Sequence, residues 1–344
     1  MTGTRLTDRQ PEVRQDELID SLVPPPRFDH VRLSTYVPNP EEPSQTDAVA
    51  ACEAFVARVE AGHPRRSRLR SLFRRGRQAD QGRAGMYLDG GFGVGKTHLL
   101  ASMWHAIDGP KAYATFVELT HLVGALGFSS AVQRLSEHRL LAIDEFELDD
   151  PGDTMLVTRL LTELVEAGAF VAATSNTLPD KLGEGRFAAE DFLREIHALS
   201  ARFSVVRVNG PDYRHRGLVE APPAVHNETL LDIARQRAGS TVDDYDELCG
   251  QLATLHPSRY GRLLDGVSAV HIRGVYPVSD QNVALRLVSF ADRLYDRAIP
   301  VVVSGCPLSE LFPDEMLAGG YRKKYLRAVS RLVALAREAV HAAP

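Results

Sequence analysis

Apolar positions along this chain alternate between two periods. Short continuous apolar runs, Ala112 to Val117, Leu140 to Ile143, Phe170 to Thr174 and Val205 to Val208, read as buried strands, and Met86, Tyr87 and Leu88 end another. Between them the spacing turns helical. Val49, Cys52, Phe55, Val56 and Val59 line one face, Leu99, Leu100, Met103 and Ile107 another, and Met155 to Val165 is the clearest later helix. Ser44, with Asp47 three residues on, is placed to cap the first of these helices. Strands that alternate with helices require right-handed crossovers, so the pattern predicts an α/β core: a mostly parallel sheet with helices on both faces.

The pattern weakens at both ends. Up to about Leu22 the chain mixes charge with Pro and Gln and has no sustained apolar period, which predicts a mobile arm ended by PPPRF, Pro24 to Phe28. A proline-rich break from Glu220 to Leu230 is the expected domain boundary. Beyond it helical patterns recur at Tyr245 to Thr254, Asn282 to Tyr295 and Tyr321 to Val340, with strand-like runs at Ala269 to Ile272 and Pro300 to Val303. The expected organisation is therefore an N-terminal arm over 1–43, a core over 44–219 and a C-terminal α-rich domain over 220–344.

The first strand runs into GGFGVGKTH, which holds a full GxxxxGKT pattern: Gly90, Gly95, Lys96 and Thr97. Strand, glycine loop and helix in that order suit a polyphosphate. Glycines let backbone N–H groups turn toward it, and the helix N-terminus adds partial positive charge. Gly90, Gly91, Phe92, Gly93, Val94, Gly95, Lys96, Thr97 and His98 form the candidate ATP-binding stretch, with Lys96 reaching the outer phosphates and Thr97 completing Mg²⁺ coordination.

Composition narrows the class. The 344 residues are 44% hydrophobic and 25% charged, values of an ordinary globular protein, and no apolar run suffices to cross a bilayer. The opening residues are polar and charged throughout, so no signal peptide is read and a cytoplasmic location is expected. Cys52, Cys249 and Cys306 form no CxxC pair and read as core thiols. A net charge of −5 disfavours a surface devoted to nucleic acid, although arginines crowd the stretch from Arg65 to Arg77. That stretch reads as a solvated excursion or as a contact for an anionic partner.

Further along, LLAIDEF places Asp144 and Glu145 where a buried parallel strand reaches the ligand crevice. Asp144 would hold Mg²⁺ through water and Glu145 would polarise the attacking water. Asn176, in ATSNT, would touch both that water and the γ-phosphate if its strand lies between the two motif strands; otherwise it is a turn former. An arginine often stabilises the transferring phosphoryl group. Arg202, just ahead of the last core strand, is the candidate, with Arg194 and Arg186 as alternatives.

The combination of GGFGVGKT, LLAIDEF and TSN resembles the AAA+ ATPases. More narrowly, the chain resembles the ZapE and AFG-like family through PPPRF with a following PSQ, GMYLDGGFGVGKTHL, TSNTLPDKL, the DYR at Asp212 to Arg214, SFADRLYD at Ser289 to Asp296 and RAVSRL at Arg327 to Leu332. The resemblance implies an ATP-hydrolysing homo-oligomer that remodels a protein substrate, in bacteria the division protein FtsZ, which would bring it to the division site. It also makes Arg286 and Arg331 candidate phosphate sensors. This chain departs from the family where AYATFVELTHLVGALGF replaces a histidine-rich segment and where Arg194 takes a usual proline position.

Other classes remain open from sequence. A nucleic-acid loader of the replication-initiator kind would use the arginine cluster, and its binding would weaken steeply with salt. A non-hydrolysing nucleotide-switched scaffold is disfavoured, because Lys96, Asp144, Glu145 and Asn176 are all present. A small-molecule kinase would need an acceptor pocket, which cannot be read from sequence.

Overall fold

The computed structural model describes residues 4–11, 17–62, 84–146, 151–177, 201–211 and 221–341. The arginine cluster, Arg186, Arg194 and Asp212 to Arg214 lie outside the described residues. Two compact units divide the chain: Arg14–Pro24 with Phe28–Tyr213, and Met1–Val13 with Pro25–Arg27 and Arg214–Pro344.

The first unit is built on five parallel strands: β1 (Gly85–Gly90), β2 (Lys111–Thr115), β3 (Leu140–Asp144), β4 (Phe170–Ser175) and β5 (Phe203–Val208). Their order is β2-β3-β4-β1-β5, so β4 is inserted between the two motif strands. With a phosphate loop after β1, this is the α/β core of the P-loop AAA+ type. On one face α1 (Pro43–Ala61) and α2 (Lys96–Ala106) close a core of Ala48, Cys52, Phe55, Val59, Met86, Leu88, Leu99, Leu100, Met103, Tyr113, Ala142 and Ala172. The helices α3 (Phe116–Leu126), α4 (Phe128–Leu135) and α5 (Pro151–Glu166) also belong to this unit, α3 packing on β2 and α5 on β4. Burial pushes the Cys52 thiol up to about 12, as suits a core thiol.

Two boundaries differ from the periodicity. Phe116 and Val117 start α3 instead of ending β2, because Thr115 and Glu118 form a reciprocal capping box: the Glu118 N–H donates to Thr115 Oγ1 at 3.3 Å and the Thr115 N–H to Glu118 Oε2 at 2.8 Å. Pro43, with its fixed φ, opens α1 ahead of Ser44, whose hydroxyl instead accepts the Asn209 N–H at 2.9 Å.

The second unit carries α6 (Asn227–Gln236), β6 (Ser240–Asp244), α7 (Tyr245–Thr254), β7 (Ala269–Val275), α8 (Gln281–Asp296), β8 (Val301–Gly305) and α9 (Arg322–His341). It is helix-rich around a parallel sheet of order β6-β7-β8. Residues 4–11 of the expected mobile arm are packed into this unit. Leu6 is fully buried against Tyr245, Leu248 and Leu252, Thr4 bridges to Thr241, and Arg9 Nη1 donates to the carbonyls of Leu263 and Asp265 at 2.8 Å. These partners lie far along the chain from residues 4–11, which no local period reports. Among the described residues no helix is long and apolar enough to cross a membrane.

Candidate functional site

All six residues of β1 are buried, and the strand ends at Gly90 where β5 passes close by. A Cβ at Gly90 would stand 2.1 Å from the Val208 carbonyl oxygen, so only glycine fits. The chain then turns through Gly91 to Gly95 and enters α2 at Lys96. Gly95, the N-cap, has φ of 90°, and a Cβ there would meet the Tyr36 ring at 2.5 Å. The first turn of α2 therefore presents backbone N–H groups to the crevice, with the helix dipole behind them.

Lys96 is buried. Its Nζ donates to the carbonyls of Gly90 at 2.8 Å and Gly91 at 2.6 Å and to Asn176 Oδ1 at 2.9 Å. Asn176 follows β4, and its turn is held from both sides: the Tyr87 hydroxyl donates to the Thr177 carbonyl at 2.7 Å and the Thr177 N–H to Ser175 Oγ at 3.1 Å. The insertion of β4 beside β1 is what brings Asn176 to the loop.

Asp144 ends β3, buried, with its two oxygens facing different neighbours. Oδ1 accepts from the Thr97 hydroxyl at 3.3 Å, from the Glu145 N–H at 3.1 Å and from the Thr174 hydroxyl, while Oδ2 accepts from the Tyr113 hydroxyl at 3.0 Å. The Glu145 N–H also donates to Thr174 Oγ1 at 3.0 Å, and Glu145 sits at φ 54°, in the left-handed region. For a residue with a Cβ that conformation costs about 1–2 kcal/mol, an expense typical of sites where a side chain must be aimed.

A hydroxyl and a carboxylate oxygen side by side, both hard donors, suit Mg²⁺, which takes one or two protein oxygens and completes its shell with phosphates and water. Thr97 and Asp144 would hold it. The glycine loop and Lys96 suit the phosphates themselves. Lys96, Thr97, Asp144, Glu145 and Asn176 thus converge at the C-terminal ends of β1, β3 and β4.

Segment 32–36 meets the loop, a contact that no sequence motif announced. The Tyr36 hydroxyl donates to the Val94 carbonyl at 2.7 Å. His98 faces this segment, with Nε2 3.1 Å from both the Arg32 carbonyl and the Thr35 hydroxyl and its ring edge-on to Tyr36. Burial holds its pKa below the ordinary value. Phe92 is half-buried in the turn.

Arg202 stands elsewhere. The Gly85 N–H donates to its carbonyl at 3.1 Å, and the register pairs Gly85 with Phe203 and Gly90 with Val208. Arg202 is therefore at the opposite end of β5, about 20 Å of strand from its own loop, beside Glu166 at 3.5 Å. The sensor candidates are engaged within the C-terminal unit. Arg286 Nη1 donates to the carbonyls of Leu252 at 2.7 Å and Leu255 at 3.0 Å. Arg331 is buried against Asp292, which also takes Arg327 Nη2 at 2.8 Å. Arg27 lies over the Tyr295 ring at 4.0 Å and pairs with Glu338 at 2.7 Å. Arg27 of PPPRF, Asp292 and Tyr295 of SFADRLYD, and Arg327 and Arg331 of RAVSRL, dispersed in sequence, thus meet within this unit.

The model of the AFG1-like ATPase family matches residues 14–231 and 225–343. The cell division protein ZapE of Escherichia coli (strain K12) is 25% identical over 292 residues, covering 72% of this chain and 76% of its own length. Lactation elevated protein 1 homolog B of Danio rerio is 24% identical over 229 residues, covering 56% and 45%. Among solved structures, domain III of the replication initiation protein DnaA from Thermotoga maritima aligns over 62% of this chain and 74% of its own, at 19% identity and a TM-score of 0.38.

Proposed function

The chain belongs to the AFG1-like ATPase family, and from that premise we propose that it hydrolyses ATP with Mg²⁺ and, as a homo-oligomer, spends the turnover on remodelling a protein partner. The convergence of Lys96, Thr97, Asp144, Glu145 and Asn176 at one end of the sheet carries this reading. Gly90 to Thr97 cradle the phosphates, and Lys96 places its charge against the outer two. Thr97 and Asp144 would hold Mg²⁺, which would offset charge on the phosphates. Glu145 polarises the attacking water, and Asn176, already bonded to Lys96, orients that water against the γ-phosphate.

Arg202 completes the site of a neighbouring protomer, since the length of the sheet keeps it from its own phosphates. Its place after α5 and ahead of β5, at the sheet's far end, supports a role in trans.

The relative named as a cell division protein supports a partner in division, and FtsZ is the candidate that the family resemblance implies. The test is the ATPase rate of the purified protein with and without FtsZ, and with and without DNA at low and moderate salt. Turnover stimulated by FtsZ is the expected result. Stimulation by DNA that fades with salt, in the absence of any FtsZ effect, would replace this reading with the nucleic-acid loader.

A further inference from the structure

Tyr113 touches the site without belonging to any of its motifs. It lies on β2, opposite Ala142 of β3, and Asp144 is two residues further along that strand on the same face. A small side chain at position 142 leaves room for the phenol ring to lean along the sheet, and its hydroxyl donates to Asp144 Oδ2 at 3.0 Å, both groups being buried. Thr115, directly opposite Asp144, has its hydroxyl on Glu118 Oε2 at 2.9 Å. Tyr113 thus holds Oδ2 from one side, while Oδ1, which also accepts from the Glu145 N–H and the Thr174 hydroxyl, is turned toward the Thr97 hydroxyl.

The same residue meets the arm. β2 is an edge strand, and the Tyr113 N–H points outward to the Leu22 carbonyl at 2.8 Å. Leu22 is itself buried, which holds that carbonyl in place.

On the proposed ATPase reading, we propose that Tyr113 is the positioning residue for the metal-holding carboxylate, and that residues 18–22 of the arm act on the site through it. The hydroxyl fixes the rotation of the Asp144 carboxylate so that Oδ1 faces the metal position beside Thr97. The arm fixes β2, and so the hydroxyl. Groups behind a metal-holding carboxylate typically change metal affinity by ten- to a hundredfold.

Tyr113→Phe removes the hydroxyl and keeps the buried ring. Nucleotide binding followed by calorimetry across a Mg²⁺ series should show unchanged affinity in EDTA and a Mg²⁺ requirement raised about tenfold. Loss of packing alone would shift both equally, which would overturn the proposal, as would a wild-type Mg²⁺ requirement in the variant. If the wild-type protein binds no nucleotide at any Mg²⁺ concentration, the ATPase reading falls and this inference with it. Leu22→Ala should raise the Mg²⁺ requirement by a smaller factor, and add nothing in the Tyr113→Phe background. An independent, multiplying effect of the two substitutions would remove the arm from the proposal.

Discussion

Lys96 and Asn176 are joined at the end of the sheet, Nζ to Oδ1 at 2.9 Å, although eighty positions separate them in sequence. The bond exists because β4 runs beside β1. Asn176→Ala should leave ATP binding nearly intact and lower kcat by about a hundredfold, the usual cost of removing one aligned polar group from a transition state. Lys96→Ala should instead abolish useful ATP affinity. Calorimetry for binding and phosphate release for turnover separate the two, and equal effects on both constants would mean that Asn176 merely holds the lysine.

Glu145→Gln keeps size and backbone while removing the carboxylate. It should bind ATP and turn over roughly a hundred- to ten-thousandfold more slowly. Near-normal phosphate release would reduce Glu145 to a strand-end acid held in a left-handed turn by Thr174.

Arg202→Ala should bind ATP and lose roughly three to five powers of ten in rate. Because Arg202 is far from its own loop, mixing this variant with Glu145→Gln should restore partial activity: a sound site on one protomer borrows the arginine of the other. Mixed oligomers that stay inactive would exclude Arg202 and pass the test to Arg194 and Arg186.

Leu6 is fully buried in the C-terminal unit. Leu6→Ala should destabilise that unit by about 3 kcal/mol, read from its urea midpoint. A shift within experimental error would show that the arm's contacts are not maintained in solution.

His271 is fully buried on β7, its Nδ1 3.0 Å from the Thr241 carbonyl and its Nε2 without a partner among the described residues. Burial, with Arg237 adding to it, lowers its pKa below 6.5. The unfolded chain then binds a proton before the folded one does. Stability is full above the unfolded value and is lost as pH falls from there through the folded pKa. His98 and His105 shift the same way, so His271→Leu should flatten this acid slope without abolishing it. An unchanged slope in urea titrations between neutral and mildly acidic pH would contradict the assignment.

Much of the core was legible because its signals are local. GxxxxGKT forces a turn that only glycines such as Gly95 can make, and LLAID needs burial on both faces, so the loop and its acids follow from neighbours a few residues apart. β6 was not legible: Ser240, Thr241 and Asp243 are buried polar residues, of which Asp243 takes Thr7 of the arm, and no apolar run marks them. Tyr36, Tyr113 and Thr174 were silent for the same reason, since each acts through a partner brought near only when the chain is packed.

By itself the sequence determined the chemistry on offer: a phosphate loop, two acids, an asparagine and an α/β alternation, each set by short-range sterics and periodicity. Tertiary structure alone decided which of them meet. Strand order puts Asn176 on Lys96, register puts Arg202 at the far end from the loop, and packing commits Arg286 and Arg331 to the C-terminal unit. Hydrogen bonds between residues distant in sequence depend on how strands are arranged side by side, and that arrangement is settled by the burial of the whole core, with no mark at either residue.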